Sequence, residues 1–202
     1  MHLPDQLCEV KVMPTFMQGE MFRASGFIIV TTNSFLTSEM KLVMGRGAAW
    51  QLKMKVPGID EIFGKMIHES CGHLGRYGLI FHKRYGAAQV KYRFNERANL
   101  ELIRSSMLML ETVANKDRKK IFNITFPGIG NGGLKKSQVR SLLRDLPDNV
   151  HVWERKEGGV YGLHPGTQSE VVLHSQETRL GFRSSNDRCH RAGFRAHSGH
   201  RG

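Results

Sequence analysis

The glycine-rich segment 127–134 is the part of this chain best suited to hold a ligand. It carries four glycines, follows the β-prone run 122–126 and precedes the helical pattern 135–146. In an α/β protein a strand–loop–helix junction of this kind lies at the carboxyl edge of the sheet, where ligands bind. Glycine amides allow close approach and suit phosphate, although the segment does not match the P-loop motif. The alternative is a plain glycine-rich turn.

A second junction of the same kind lies upstream. Gly45 and Gly47 precede a helical stretch that Pro57 and Gly58 terminate. Amides at the start of that helix can bind an anion or approach a sugar closely. One such loop is a weak signal, but two in one small domain favour a ligand that resembles a dinucleotide.

Polar side chains follow two further predicted strands. Asn33 follows the β-branched run 27–32, where it can hydrogen-bond a ligand or simply form a turn. His82, Lys83 and Arg84 follow the strand 77–81, either as a solvated edge or as an anion site. The next segment, 86–94, reads as a loop in which basic and aromatic residues interleave, a mix that suits stacking on a base.

Neither a metal site nor a disulfide framework is predicted. Cys8, Cys71 and Cys189 are far apart and form no CxxC pair, and His68 and His73 lack partners at metal-ligand spacing. We therefore expect no cofactor, no metal and a reducing, cytoplasmic setting. The chain has no apolar run of membrane-spanning length and no signal pattern at its start, so we expect no membrane association. We also expect a monomer.

The charge of the chain favours polyanionic partners, nucleic acid among them. Formal net charge is +12, of which residues 1–154 carry +8 and residues 155–202 carry +4. Strands and helices alternate over 27–154, which predicts an α/β fold around a mainly parallel sheet. The range 155–202 is rich in Gly, Ser, His and Arg and reads as a disordered tail. The other predicted elements are strands at 8–13, 15–19 and 150–154 and helices at 59–70 and 95–115, the latter capped by Asn95.

Four blocks, in order, resemble the macrodomain family. They are the Gly19-Glu20-Met21-Phe22 segment, the strand-end Asn33, the loop 43–48 and the loop 127–134. Together they span about 8–154, and the resemblance implies one three-layer α/β/α domain over residues 1–154. The two glycine loops look closest to the branch of DNA ADP-ribosyl glycohydrolase antitoxins and terminal ADP-ribose protein glycohydrolases.

The resemblance implies an ADP-ribose site. Glu20 would accept from the adenine amino group, where the family commonly has Asp, and the Met21 backbone would complete that contact. Asn33 would hold the distal ribose. The remaining implied ligand-binding residues are Met44, Gly45, Arg46 and Gly47 around that ribose, and Gly128, Ile129, Gly130, Asn131, Gly132 and Gly133 around the diphosphate.

A catalytic lysine is also implied. In this branch a lysine at the end of the middle strand attacks or polarises the anomeric carbon of the distal ribose. Lys83 is the predicted match, with His82 as the alternative if the register shifts by one residue. Some members also use an Asp in the second loop, where this chain has Gly132 or Gly133.

The predicted function is that of a macrodomain that hydrolyses the ADP-ribosyl bond of a modified nucleobase or protein side chain. The alternatives are a module that reads ADP-ribose without turnover and a phosphatase acting on ADP-ribose 1″-phosphate. The expected partner is ADP-ribose or an ADP-ribosylated substrate, with the basic charge favouring DNA.

Overall fold

A computed structural model describes residues 13–155 of the protein. The predicted strand over 8–13 lies outside the described residues except for Met13, and the predicted tail lies outside them except for Arg155. Within the described range no helix is long and apolar enough to cross a membrane.

Six strands form one mixed sheet. They are β1 (Thr15–Gln18), β2 (Phe27–Thr32), β3 (Leu79–His82), β4 (Tyr85–Gln89), β5 (Phe122–Thr125) and β6 (Val150–Glu154). Their order across the sheet is β1-β6-β5-β2-β4-β3. Every neighbouring pair is parallel except β3 with β4, which form an antiparallel hairpin. The predicted α/β class with a mainly parallel sheet is confirmed.

Helices cover both faces of this sheet. They are α1 (Gly47–Lys55), α2 (Ile59–Cys71), α3 (Leu100–Lys116) and α4 (Lys136–Arg140), with 3-10 turns at Met21–Arg23, Gly130–Gly132 and Ser141–Leu143. The buried side chains divide into two clusters. One contains residues of α3 and α4, and the other contains residues of α1 and α2.

Side chains of β2 show how the sheet separates the two clusters. Ile29 belongs to the cluster under α3, while Ile28 and Val30 belong to the cluster under α1 and α2. The side chains alternate between the clusters because successive side chains of a strand point to opposite faces. All three are fully buried or nearly so, since both faces are covered. A central strand covered on both faces therefore needs the continuous apolar run that the sequence shows.

The segment 86–94 was predicted as a loop, and that prediction is wrong for residues 86–89 but correct for residues 90–94. Its first part belongs to β4, which pairs with both β2 and β3. The sequence pattern does not indicate a strand here, since Gly86, Ala87 and Ala88 have low β propensity. The packing requires small residues, because a Cβ at Gly86 would lie 2.9 Å from a ring carbon of Phe81 and 3.1 Å from Ile29.

Two helices differ from their predicted bounds. Helix α3 begins at Leu100 instead of 95, and its cap is Asn99, whose Oδ1 accepts from the amides of Glu101 (2.8 Å) and Leu102 (3.2 Å). Asn95 is not the cap. The helix predicted over 135–146 is shorter, since α4 ends at Arg140 and continues as a 3-10 turn.

Candidate functional site

The carboxyl ends of β1, β6, β5, β2 and β4 meet at one edge of the sheet, called here the carboxyl edge. Neighbouring strands lie about 4.8 Å apart, so the distance from β1 to β4 along this edge is about 19 Å. Both glycine loops start at this edge or return to it. The candidate site is therefore an extended surface formed by several strand ends.

The strand-end Asn33 connects β2 to the first glycine loop. Its Nδ2 donates to the carbonyl of Val43 at 2.8 Å, and its Oδ1 accepts from the amide of Phe35 at 2.8 Å. The residue is only 5% exposed. In this arrangement the amide holds the loop in place and keeps one N–H hydrogen for a further acceptor.

The first glycine loop leads directly into α1. Gly47 has a φ of 62°, a conformation that glycine adopts without steric cost, and it is the first residue of the helix. Within residues 13–155 no side chain caps the helix at Arg46, so the amides of its first turn have no side-chain acceptor there. An anion placed there would satisfy them.

The second loop presents backbone amides in the same way. Leu134 and Gly133 donate to carbonyls of Gly128 and Gly130, which folds the loop on itself. Gly132 donates to Ile129. Among the bonds that residues 13–155 make with one another, the amides of Gly128, Ile129, Gly130 and Asn131 have no acceptor. Four amides are therefore available to a phosphate, rather than the whole predicted run.

The two loops lie against each other. A Cβ at Gly47 would stand 3.4 Å from Nδ2 of Asn131, so the start of α1 touches the tip of the second loop. Gly128 is confined as well, because a Cβ there would lie 2.7 Å from Ile103 and 2.9 Å from Leu134. The two segments separated in the sequence thus form one continuous surface rich in amides.

A lysine that sequence reasoning missed lies at this surface. Lys91 follows β4 by two residues, and its Nζ donates to three backbone carbonyls: Phe94 at 3.1 Å, Glu96 at 3.2 Å and Asn131 at 3.2 Å. The residue is 9% exposed. Burial lowers the pKa of the Lys91 amine; Glu96 raises it, and Arg46 lowers it further.

A buried polar network holds the end of β4 in position. Gln89 is fully buried; its Oε1 accepts from the amides of Tyr77 (2.9 Å) and Gly78 (3.3 Å). Its Nε2 donates to Ser34 Oγ and to the Gly75 carbonyl, both at 3.0 Å. The network fixes the ends of β2 and β4 relative to each other, and so positions both Asn33 and Lys91.

Comparisons with known proteins identify this architecture. The structure is similar to the macrodomain of Mycobacterium tuberculosis DarG, with a TM-score of 0.58 and 22% identity, over 70% of this chain and 97% of that one. It is similar to the macrodomain of Thermus aquaticus DarG, with a TM-score of 0.57 and 22% identity, over 70% of this chain and 96% of that one. The chain has the macrodomain fold.

A third similar structure contains a ligand. Thermosipho africanus DarTG in complex with ADP-ribose shares 17% identity with this chain, at a TM-score of 0.56. The match covers 73% of this chain but 43% of that one, so this chain spans less than half of that protein. No family model matches the sequence. No curated protein matches it either.

The structure brings most of the predicted site residues to the carboxyl edge. Glu20 and Met21 follow β1, with the Glu20 side chain exposed and the Met21 side chain buried in the core, so that only the Met21 backbone is available. Met44 is likewise a core residue, 3% exposed. The residues that lie in the two loops at this edge are Gly45, Arg46, Gly47, Gly128, Ile129, Gly130, Asn131, Gly132 and Gly133.

His82 and Lys83 do not join this group. His82 ends β3 and Lys83 lies in the turn before β4, where Tyr85 pairs with Ile28 at the start of β2. Both therefore lie at the amino-terminal edge of the parallel strands, opposite the loops. The predicted placement was wrong because the hairpin was not recognised: 79–82 is the antiparallel strand, and the parallel strand that ends at the site is β4.

Lys83 was selected as the lysine at the end of the middle strand, and Lys91 is the residue that meets this criterion. It is the lysine that follows the strand next to β2 at the carboxyl edge. The signal in the sequence was Gln89-Val90-Lys91, but it follows Gly86-Ala87-Ala88 and so did not read as a strand end. Among the described residues, no group of three or more His, Cys, Asp or Glu side chains is placed to hold a metal ion.

Proposed function

We propose that this macrodomain binds ADP-ribose and hydrolyses the ADP-ribosyl bond of a modified nucleobase or protein side chain. The observation that carries the proposal is the position of Lys91, whose ammonium donates to Asn131 in the second glycine loop. A buried lysine beside a phosphate-binding loop suits chemistry at a sugar that is attached to that phosphate.

The order of groups along the carboxyl edge supports ADP-ribose as the ligand. The exposed carboxylate of Glu20 lies at β1, the second loop at β5, Asn33 at β2 and Lys91 at β4. ADP-ribose presents adenine, diphosphate, distal ribose and anomeric carbon in the same order. A carboxylate suits the adenine amino group, and amides suit the diphosphate.

Lys91 acts at the anomeric carbon in this proposal. As a neutral amine it attacks that carbon while the bond to the acceptor breaks and the acceptor takes up a proton, and water then releases ADP-ribose from the lysine. As an ammonium it instead stabilises the charge that develops as the bond breaks. In the first route the amine gives up the proton that it now donates to one of the three carbonyls. Its lowered pKa makes that loss easier.

The second candidate is a module that binds ADP-ribose without turnover. It is favoured by the complete satisfaction of Lys91, since its three ammonium hydrogens match three carbonyl partners. The second loop also offers no carboxylate, as Gly132 and Gly133 stand where an acid is otherwise expected.

Binding and release of ADP-ribose distinguish the two candidates. Calorimetry measures ADP-ribose affinity, and mass spectrometry detects free ADP-ribose after incubation with ADP-ribosylated single-stranded DNA or ADP-ribosylated protein. For the hydrolase we expect release by the wild type and a loss of about 10²-fold or more in Lys91→Ala, with ADP-ribose affinity retained. If the wild type binds ADP-ribose but releases none from either substrate, the reader module is the remaining candidate. If the wild type does not bind ADP-ribose, both candidates are rejected.

Lys83→Asn is the matched control. It removes a lysine from the opposite edge of the sheet and is expected to leave release from an ADP-ribosylated nucleoside unchanged. Loss of release in Lys83→Asn with normal release in Lys91→Ala would reject the assignment to Lys91.

A further inference from the structure

Three loops meet at the amino-terminal edge of the sheet, opposite the candidate site. The segments 23–26, 82–85 and 117–121 precede or enter β2, β4 and β5, which are adjacent in the order β5-β2-β4. Hydrogen bonds join them: Nη2 of Arg84 donates to the Ala24 carbonyl at 3.0 Å, and the amide of Phe27 donates to the Ile121 carbonyl at 2.8 Å. We call these three segments the basic edge.

The basic edge has a large excess of positive charge. Asp117 is its one carboxylate, and it forms an ion pair with Lys120 at 2.8 Å. Arg118 pairs with Asp148, which lies outside the three segments, at 2.5 Å. Within residues 13–155, no carboxylate lies at ion-pair distance from the remaining cations. His82 is half-buried. The exposed basic side chains of the basic edge are Arg23, Lys83, Arg84, Arg118, Lys119 and Lys120.

Lys83 occupies a position that its residue type does not favour. It is the first residue of the two-residue turn between His82 and Tyr85, and its φ is 53°. Glycine, asparagine or aspartate fits such a turn with less steric cost. A lysine at this position loses backbone stability and gains an exposed charge.

The partner that fits this surface is a nucleic acid. Neighbouring strands lie about 4.8 Å apart, so the cations form a row along three strand starts, which suits a phosphate backbone. A lipid surface is less suitable, because stable membrane binding also needs apolar side chains that insert. The exposed large apolar residues of the described chain lie outside the basic edge, and they are Met13, Met54, Phe94, Leu100, Leu108 and Met109.

We propose that the basic edge binds the phosphate backbone of a nucleic acid, separately from the ADP-ribose site. The separation follows from the length of β2, whose six residues span about 20 Å between the two edges. The proposal therefore does not depend on the proposed enzymatic function. It assigns a role to His82-Lys83-Arg84, the cluster that the candidate site does not use.

Salt dependence of binding tests this surface. The full-length protein is titrated into a fluorescein-labelled single-stranded DNA of about 16 nucleotides, and anisotropy gives the affinity at several salt concentrations. The double variant Lys83→Asn/Lys119→Gln is expected to weaken binding at low salt. The slope of log K against log salt should fall in magnitude by about 1.4, or about 0.7 for each phosphate that the variant no longer neutralises.

A charge-matched variant provides the control. Lys65→Gln/Arg104→Gln removes two exposed cations from α2 and α3 and is expected to keep the wild-type slope. Lys83→Asn alone should bind more weakly without lowering the midpoint of thermal unfolding, because asparagine suits the positive φ. This result separates a weaker interaction with the phosphates from a loss of folding.

Three outcomes would overturn the proposal. The first is no binding of the oligonucleotide by the wild type. The second is equal changes of slope in both double variants, which would indicate net charge alone. The third is a loss of binding to phosphatidylserine-containing vesicles, but not to the oligonucleotide, in the Lys83→Asn/Lys119→Gln variant. ADP-ribose affinity, measured by calorimetry in the same variants, reports separately on the carboxyl edge and should not change.

Discussion

Nζ of Lys91 donates a hydrogen bond to the backbone carbonyl of Asn131 across 3.2 Å. This contact joins the end of β4 to the second glycine loop, 40 residues later in the chain. It places a buried amine next to the amides of Gly130 and Asn131, which have no acceptor among the described residues. A ligand that accepts from these amides must lie close to the lysine, as the proposed chemistry at a sugar next to the phosphate requires.

The release of ADP-ribose should depend on pH through Lys91. Burial lowers the pKa of its amine below the ordinary value, so the neutral form becomes populated at lower pH than in a free lysine. If the amine attacks, the single-turnover rate should rise with pH and level off above that lowered pKa. Rates measured from pH 6 to pH 10 on an ADP-ribosylated nucleoside test this.

Two neighbouring charges should shift this profile in opposite directions. Arg46 lowers the pKa of Lys91 and Glu96 raises it. Arg46→Gln should therefore move the rise to higher pH, and Glu96→Gln should move it to lower pH while its backbone carbonyl still accepts from Lys91. Equal profiles in all three proteins would contradict a role for the neutral amine.

The sequence predicted the fold and both loops because these features depend on local patterns. The apolar run of β2 and the glycines before α1 and after β5 are visible without any tertiary context. The catalytic candidate was misplaced because β4 is a strand only in context. Gly86 and Ala87 pair between β2 and β3, and no local propensity marks them. Because β4 was not recognised, Lys83 was predicted at the carboxyl edge, where the structure instead has Lys91.

The buried Gln89 should contribute strongly to stability. In Gln89→Ala the amides of Tyr77 and Gly78 and the carbonyl of Gly75 lose their partner in the protein interior. We expect the free energy of unfolding to fall by about 3 kcal/mol or more, since each buried unsatisfied group costs about 1–3 kcal/mol. Urea denaturation measures this. Gln51→Ala, in α1, is the matched control and should change stability by no more than about 0.5 kcal/mol.

The start of α3 can be located by a pair of alanine substitutions. Asn99 caps the helix through two amides, whereas Asn95 lies four residues before it. Asn99→Ala should lower the free energy of unfolding by about 1 kcal/mol, because those amides lose their acceptor. Asn95→Ala should have almost no effect. The reverse result would support the cap predicted from the sequence.

The buried Tyr77 should make the protein less stable at alkaline pH. Its hydroxyl donates to the Asn33 carbonyl at 3.1 Å and contacts Thr32 Oγ1, and burial raises the pKa of its phenol above the ordinary 10. Above pH 10 the unfolded chain loses this proton while the native protein keeps it, so the free energy of unfolding falls as pH rises.

Tyr77→Phe should cost about 1 kcal/mol at pH 8, from the lost hydrogen bond. Between pH 10 and pH 11 the stability difference between wild type and variant should shrink by up to about 1.4 kcal/mol, because only the wild type has this proton to lose. Urea denaturation at pH 8, 10 and 11 measures the difference, and a constant value at all three would show that Tyr77 ionises as readily in the native protein as in the unfolded chain.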